Sequence, residues 1–343
     1  MNKILVISLN SGGTMGHGKI ITSLANFLSE KNKKVTILSD MPFIKNFDVR
    51  KEVKVKTLNK IPHTNYTIGG MCHCSQGKYI FNFAKKRNID CVIFSTFFDL
   101  DLVKKFKDDG IKTILLSYPI RDTYRLALKQ KGVYATFDRV ITLYGPEFRD
   151  LEMYNERLTN PLKMVCKKIN SSQKNDILVT CGGGGRPSSK LFLKKTFSVL
   201  KKLVAKNKTL KITIVKGGSK SHPFHKKMNI LVWVKDFSSL ISSSNIIISE
   251  AGYFTMLDLI NYKKKAILIP GERVIDNQEI RALSLENKKI GEIFFPFEGI
   301  PKLYDLVNKK LKSKDSNVSA FNKLLIQFNK YPDLSKVLLE ELR

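Results

Sequence analysis

The sequence predicts an α/β protein built as two doubly wound halves. Three observations predict it. Short apolar runs alternate with longer, charged amphipathic stretches, the pattern of parallel strands joined by right-handed crossover helices. The alternation pauses once, at Thr159-Asn160-Pro161-Leu162 and the polar run from Lys167 to Asn175, and then restarts. Two glycine-rich turns, Ser11-Gly12-Gly13-Thr14-Met15-Gly16-His17-Gly18 and Cys181-Gly182-Gly183-Gly184-Gly185, each follow an apolar run and lie about half a chain apart.

In order, Lys3 to Ser8 reads as a first strand, followed by a helix from about Lys19 to Lys31. Val35–Ser39 and the alternating Val53–Leu58 are the next strands. Asn59 to Lys78 is polar and irregular and holds His63, Gly69-Gly70 and Cys72-His73-Cys74. A helix over Tyr79–Lys86 leads to buried-type strands at Cys91–Phe94, Thr113–Leu116 and Val140–Leu143. After the pause, Asp176–Thr180 is a strand and Ser188 to Lys206 a helix. Strands follow at Ile212–Val215, Ile230–Val234, Ile246–Ser249, Ala266–Ile269 and Ile293–Phe295, with helices from about Pro301 onward. The expected divisions are a first domain over 1–162, a linker over 163–175, a second domain over 176–315, and terminal helices over 316–343 that return to the first domain.

A chain of 343 residues exceeds one typical compact core, and 43% hydrophobic residues with 20 Gly and 11 Pro is globular composition. The net charge of +30 is spread along the whole chain. It suits nucleotides, sugar phosphates, nucleic acid or anionic lipid as partners, or it is a solvated lysine-rich surface. No nucleic-acid-binding motif accompanies it. Five cysteines without framework spacing, Cys91 and Cys181 among them in apolar runs, favour a reducing compartment. No signal peptide and no spanning stretch of ~18–20 apolar residues is evident, so a cytoplasmic protein, soluble or peripheral on the membrane, is expected.

The first glycine turn suits an anion, because backbone N–H groups gather at a helix N-terminus. A dinucleotide fingerprint needs G-x-G-x-x-G, but the glycines fall at 12, 13, 16 and 18, although Asp40 would sit where a ribose-binding acid is expected. His17 is what that reading leaves unexplained. An imidazole in this turn is either a general base for a hydroxyl or a local hydrogen-bonding group. Gly183, Gly184 and Arg186 form a second phosphate-type turn, or a tight turn beside an exposed arginine. The most informative stretch is Ser249-Glu250-Ala251-Gly252-Tyr253-Phe254-Thr255-Met256-Leu257-Asp258. There a strand ends, glycine turns the chain, and a helix begins at about Tyr253 with free N–H groups for a diphosphate. Asp258 is placed to accept from both hydroxyls of a ribose. Asp276-Asn277-Gln278 opens another helix, as sugar-reading groups or as an Asp276 N-cap with solvated amides. Asp99-Leu100-Asp101 has a metal-binding D-x-D form but begins a helix, where acids complement the dipole. Cys72-His73-Cys74 is too tightly spaced to wrap one zinc ion.

Gly-Gly-Thr-Met-Gly-His at 12–17 resembles the Gly-Gly-Thr-Gly-Gly-His loop of the MurG-type N-acetylglucosaminyltransferases, and Ser249 to Ala282 resembles their carboxyl-terminal domain. The resemblance implies the two-domain GT-B fold and an inverting, metal-independent glycosyltransferase with no cofactor. It implies a nucleotide-sugar donor, UDP-linked, with UDP-N-acetylglucosamine among the candidates, and an acceptor hydroxyl on a glycan, a lipid-linked sugar or a small molecule. By position, Asp258 stands at the ribose-binding acid and Asn277 and Gln278 at the sugar-binding pair. Tyr253, Phe254 and Thr255 stand at the diphosphate-binding helix start, and Phe237 near the base-binding loop. His17 stands at the acceptor-activating histidine, with Gly13, Thr14 and Gly16 as the acceptor-side loop, and Thr159-Asn160-Pro161 at the interdomain linker. Met15 replaces a loop glycine, Asp258 and Asn277 are each one methylene shorter than the family residues, and a second amino-domain glycine loop has no clear copy. The alternatives are a nucleotide-sugar hydrolase or 2-epimerase of the same fold, or a non-catalytic nucleotide-sugar-binding protein.

Overall fold

A computed structural model describes residues 2–9, 15–41, 43–59, 71–147, 156–166, 174–184, 186–219, 225–273, 275–313 and 317–343. The first half forms a parallel sheet of β1 (Lys3–Ser8), β2 (Lys34–Ser39), β3 (Lys54–Thr57), β4 (Cys91–Ser95), β5 (Lys112–Ser117), β6 (Arg139–Leu143) and β7 (Glu156–Thr159), in the order β3-β2-β1-β4-β5-β6-β7. Between the strands run α1 (Met15–Glu30), α2 (Gly77–Lys86), α3 (Leu100–Asp108) and α4 (Asp122–Gln130). A short α5 (Leu162–Val165) follows β7. The second half forms a parallel sheet of β8 (Asn175–Thr180), β9 (Ile212–Val215), β10 (Met228–Leu231), β11 (Ser244–Ser249), β12 (Lys265–Leu268) and β13 (Gly291–Ile293), in the order β10-β9-β8-β11-β12-β13. Its helices are α6 (Pro187–Lys206), α7 (Phe237–Ser242), α8 (Tyr253–Asn261), α9 (Gln278–Asn287) and α10 (Ile300–Lys312), followed by α11 (Val318–Asn329) and α12 (Leu334–Glu341).

The central strands are buried on both faces because helices cover both, so Ile4 to Ile7 and Ile246 to Ile248 are almost fully shielded and read as continuous apolar runs. Each sheet reverses strand order next to its first strand, between β1 and β4 and between β8 and β11. Such switch points open a crevice at the carboxyl ends of the strands. The elements that leave those ends are α1, α6 and α8, so the fold delivers the two glycine turns and the 249–258 stretch to one region.

Several boundaries differ from expectation. The first helix starts at Met15 and not near Lys19, so Gly16, His17 and Gly18 are helical and His17 stands in the first turn of α1. The strand expected at Ile230–Val234 is Met228–Leu231, and that expected at Ile293–Phe295 is Gly291–Ile293. The edge strand β7 lies within the expected first domain, just before the linker, where no strand is expected. Its Glu156 is paired inside the protein with Arg125 at 2.8 Å and accepts a hydrogen bond from the Thr142 hydroxyl, 2.5 Å away.

The terminal helices do return to the first sheet. Asn160 bridges to Asp333, Arg157 pairs with Glu340 at 2.7 Å, Arg139 pairs with Glu341 at 3.1 Å, and Asn2 donates to the Leu342 carbonyl at 2.6 Å. α11 packs on α8 of the second half, so the terminal helices clamp the two sheets together. Among the described residues, no helix is long and apolar enough to cross a membrane.

Candidate functional site

A cleft of about 1280 Å³ lies between the halves. That exceeds the roughly 300–1,000 Å³ of a single drug-sized ligand site and leaves room for two substrates. Gly12, Gly13 and Thr14 lie outside the described residues, as does Gly185. Gly16 and His17 line the amino-domain side, and Gly183, Arg186, Phe237, Gly252, Tyr253, Phe254, Thr255, Asp258 and Gln278 line the carboxyl-domain side.

His17 is 9% exposed and packs against Tyr118 at 4.4 Å and Phe97 at 5.4 Å between ring centroids. Its Nδ1 has no hydrogen-bond partner among the described residues. Burial drives its pKa down to about 3, against the pull of the nearby Asp276 carboxylate and with a push from Arg186. The free protein therefore holds a neutral imidazole, the proton-accepting form, over the whole physiological range. An ordinary imidazole near ~6.5 would lose about tenfold of its neutral form by pH 5.5. With His17 acting as a base, kcat/KM for sugar transfer is expected to fall less than about twofold between pH 7.5 and 5.5 on its account. A tenfold loss with a midpoint near ~6.5 would contradict this assignment of its ionisation.

Gly16 plays a different part from a phosphate turn. It is a helical position onto which the Phe254 ring closes, and an added Cβ would meet Phe254 Cδ2 at 2.6 Å. Phe254 stands edge-on to Tyr118 at 5.4 Å, and Tyr253 donates from its hydroxyl to the Tyr144 carbonyl at 2.6 Å. The start of α8 is thus pressed onto the amino domain, which narrows access to its first turn.

Two helices present free N-termini to the cleft. α6 begins after Arg186 and α8 after Gly252, and neither has a side-chain cap or an acid in its first turn. Their orphan N–H groups and dipoles favour an anion. Gly183 lines the cleft, whereas Gly184 does not. Gly184 turns the chain at φ +68°, and its missing Cβ leaves room for the Lys216 carbonyl. Arg186 is half-buried, and burial and then the neighbouring Arg273 weaken its hold on its proton. Arg273 itself is paired with Glu250 and donates to Ser188 at 2.9 Å.

Asp258 is 1% exposed and is not empty-handed. The Lys19 ammonium, from the amino domain, lies 2.8 Å from Oδ2 and 2.9 Å from Oδ1. Ser238 donates to Oδ1 at 3.2 Å, and the Cys166 thiol approaches it at 3.6 Å. Burial alone would lower the Lys19 pKa, but Asp258 reverses this and leaves it raised.

Asn277 does not join the site. It caps α9, its Oδ1 accepting from Ile280 N–H at 3.3 Å, and it does not line the cleft. The cap expected at Asp276 falls one residue later, and Asp276 takes the cleft-facing place. There Arg281, fully buried, donates to Asp276 at 2.7 Å, to Glu147 of the amino domain at 2.7 Å and to the Ala251 carbonyl at 2.8 Å. Gln278 is buried and accepts from Gly271 N–H through Oε1 at 2.9 Å, which turns its amide into the free donor end.

The other sequence candidates lie elsewhere. Asp99 caps α3 through Leu102 N–H at 3.0 Å and also accepts from Cys74 N–H at 2.6 Å. Cys72 and Cys74 are buried thiols and His73 is largely exposed. Asp40 is buried behind β2 and does not line the cleft. Lys19, Glu250 and Arg273 are cleft residues that sequence reasoning missed, as is Glu147, which stands behind the cleft on Arg281. A signal existed for Lys19. Lys19, Ser23, Asn26 and Glu30 form a polar stripe at helical spacing on α1, and that stripe lines the cleft, running from Lys19 inside to Glu30 at its exposed end.

Residues 177–333 match the model of the glycosyltransferase family 28 C-terminal domain. No curated protein sequence matches the chain. Among solved structures, the chain is similar to the spinosyn forosaminyltransferase SpnP (TM-score 0.71, 10% identity, covering 99% of both chains). It is also similar to the glycosyltransferase VinC in complex with dTDP (TM-score 0.68, 10% identity, 100% of this chain and 99% of that one). MurG of Acinetobacter baumannii gives a TM-score of 0.61 at 13% identity over 99% of this chain and 98% of that one. These structural likenesses concern the fold, two parallel-sheet halves around a cleft. Residues 177–333 thus carry a glycosyltransferase family 28 C-terminal domain, and the chain as a whole has the GT-B architecture.

Proposed function

We propose that the chain is an inverting glycosyltransferase that moves a sugar from a nucleotide donor to an acceptor hydroxyl. The donor is UDP-linked in this reading, UDP-N-acetylglucosamine among the candidates, and the acceptor is a glycan, a lipid-linked sugar or a small molecule. One observation carries the reading. A neutral imidazole and a buried carboxylate, His17 and Asp258, stand in one cleft at the switch points of two facing sheets. The nucleotide lies on the carboxyl domain, with Asp258 on the ribose hydroxyls and Phe237 beside the base. The free N-termini of α8 and α6, with Arg186, answer the diphosphate charge as it grows on the leaving group. Thr255 and the Gln278 amide hydrogen-bond the diphosphate and the sugar.

His17 accepts the proton of the acceptor hydroxyl. The oxygen attacks the anomeric carbon from the face opposite the diphosphate, the carbon–oxygen bond to phosphate breaks, and the configuration inverts. The imidazolium that forms is stabilised by Asp276, the carboxylate whose field already opposes the fall in its pKa. No cofactor is assigned, since helix N-termini and an arginine supply the positive charge. A cytoplasmic location, peripheral at the membrane when the acceptor is lipid-linked, belongs to the same reading. It is supported by five unpaired cysteines and by the charge of +30.

The test is thermal unfolding with millimolar UDP, dTDP, GDP and ADP. Binding at 100-fold the dissociation constant stabilises by about 2.7 kcal/mol, so one nucleotide is expected to raise the melting temperature by several degrees. No shift with any of them removes the donor reading.

A further inference from the structure

We propose that Lys19 is a latch on the donor site: its ammonium occupies the Asp258 carboxylate until the ribose of a nucleoside diphosphate displaces it. The inference rests on the reading of Asp258 as the ribose acid, and goes beyond it by giving the amino domain a direct say in nucleotide affinity.

The argument is one of acceptor capacity. A carboxylate offers about four lone-pair positions. Lys19 Nζ lies within hydrogen-bond reach of both oxygens, at 2.8 and 2.9 Å, and Ser238 and Cys166 both approach Oδ1. One position on Oδ2 is left, while the vicinal hydroxyls of a ribose need two. The carboxylate is 1% exposed, so water cannot make up the difference. Ribose and Lys19 therefore exclude one another at Asp258. Lys19 is the member that leaves. Its side chain is 22% exposed, lines the cleft and can swing on a four-carbon stem, whereas Ser238 and Asp258 are buried on packed helices.

The latch also ties the two substrates' sites together. Lys19 and His17 share the first turns of α1, and Lys19 joins the domains across 239 residues of sequence. Filling Asp258 removes one of the ties between the helix that carries the base and the carboxyl domain, and so couples donor binding to the start of α1.

The test compares the wild-type protein with Lys19→Met by calorimetric titration of UDP, or of whichever diphosphate stabilises the wild type, and of its 2′,3′-dideoxy analogue. Lys19→Met keeps the length of the side chain and leaves Asp258 unmatched in the free protein, a penalty that the ribose hydroxyls relieve. The ribonucleotide is expected to bind at least about fivefold tighter to the variant, and the dideoxy analogue to show no gain. Equal or weaker binding of the ribonucleotide overturns the latch. In the wild-type protein, acetylation of Lys19 followed by mass spectrometry is expected to quicken when nucleotide saturates the site. Unchanged or slower labelling counts against the proposal even if the variant misfolds. Failure of the latch and failure of the donor reading are distinguishable. If no diphosphate binds either protein, the donor reading falls and the latch with it. If wild type binds and Asp258→Ala does not, but Lys19→Met gains nothing, the latch alone falls.

Discussion

Replacing His17 with alanine is expected to lower kcat for sugar transfer by about 10²–10⁴-fold, the usual contribution of a positioned general base. Nucleoside diphosphate affinity is expected to stay within about twofold of wild type. The imidazole sits on the amino domain, packed against Tyr118 and Phe97, and Arg186 of the carboxyl domain acts on it through its charge. The fall should therefore appear in kcat and not as a loss of donor binding, which separates a missing base from a collapsed site. The measurement is steady-state transfer paired with calorimetric titration of the diphosphate. Full transfer by the variant would remove His17 from the mechanism and leave the cleft in need of another base.

Replacing Arg281 with methionine is expected to destabilise the folded chain by about 3–5 kcal/mol, the cost of leaving buried charge unmatched. Arg281 is fully buried, and its guanidinium joins Glu147 of the amino domain to Asp276 and the Ala251 carbonyl of the carboxyl domain. Burial by itself would weaken its hold on the proton, but Asp276 and Glu147 outweigh that and hold the group charged. Glu147 stands the other way, with burial raising its pKa despite Arg281. Without the arginine, its carboxylate is buried alone. The penalty is thus mostly that of the abandoned acid, so Glu147→Gln in the Arg281→Met background should recover part of the loss. Urea unfolding of the single and double variants checks this. A loss below about 1 kcal/mol for Arg281→Met would mean that water reaches the network and that it contributes little.

The fold was legible because a parallel sheet buried on both faces writes itself as apolar runs separated by amphipathic helices. β7 escaped because Glu156 and Arg157 break the apolar run that marks a buried strand. Its acid is matched by Arg125, which lies 31 residues away and shows no local pattern. The start of α1 was misplaced, and the cap of α9 left open, for reasons of local chemistry. Gly16 and Gly18 read as a loop, yet both are helical, and they are glycines because the Phe254 and Phe47 rings close onto them. Asp276 and Asn277 are both good caps, and sequence alone does not say which of two neighbours turns inward.

The site divides in the same way. His17, Arg186, Gly252 and Asp258 were legible because each sits where a strand hands over to a helix, and that geometry is local. Lys19 with Asp258, and Glu147 with Arg281, were not, since their pairings span 239 and 134 residues and exist only once two domains meet.

The central claim is that a nucleoside diphosphate binds at the carboxyl ends of β8 and β11. Hydrogen exchange of the backbone amides, with and without the stabilising diphosphate, tests it without knowledge of the acceptor. Protection is predicted at 182–184, at 250–258 and around 276–278, with faster exchange at the start of α1 as Lys19 lets go. Protection confined to other segments, with 250–258 unchanged, would contradict the account.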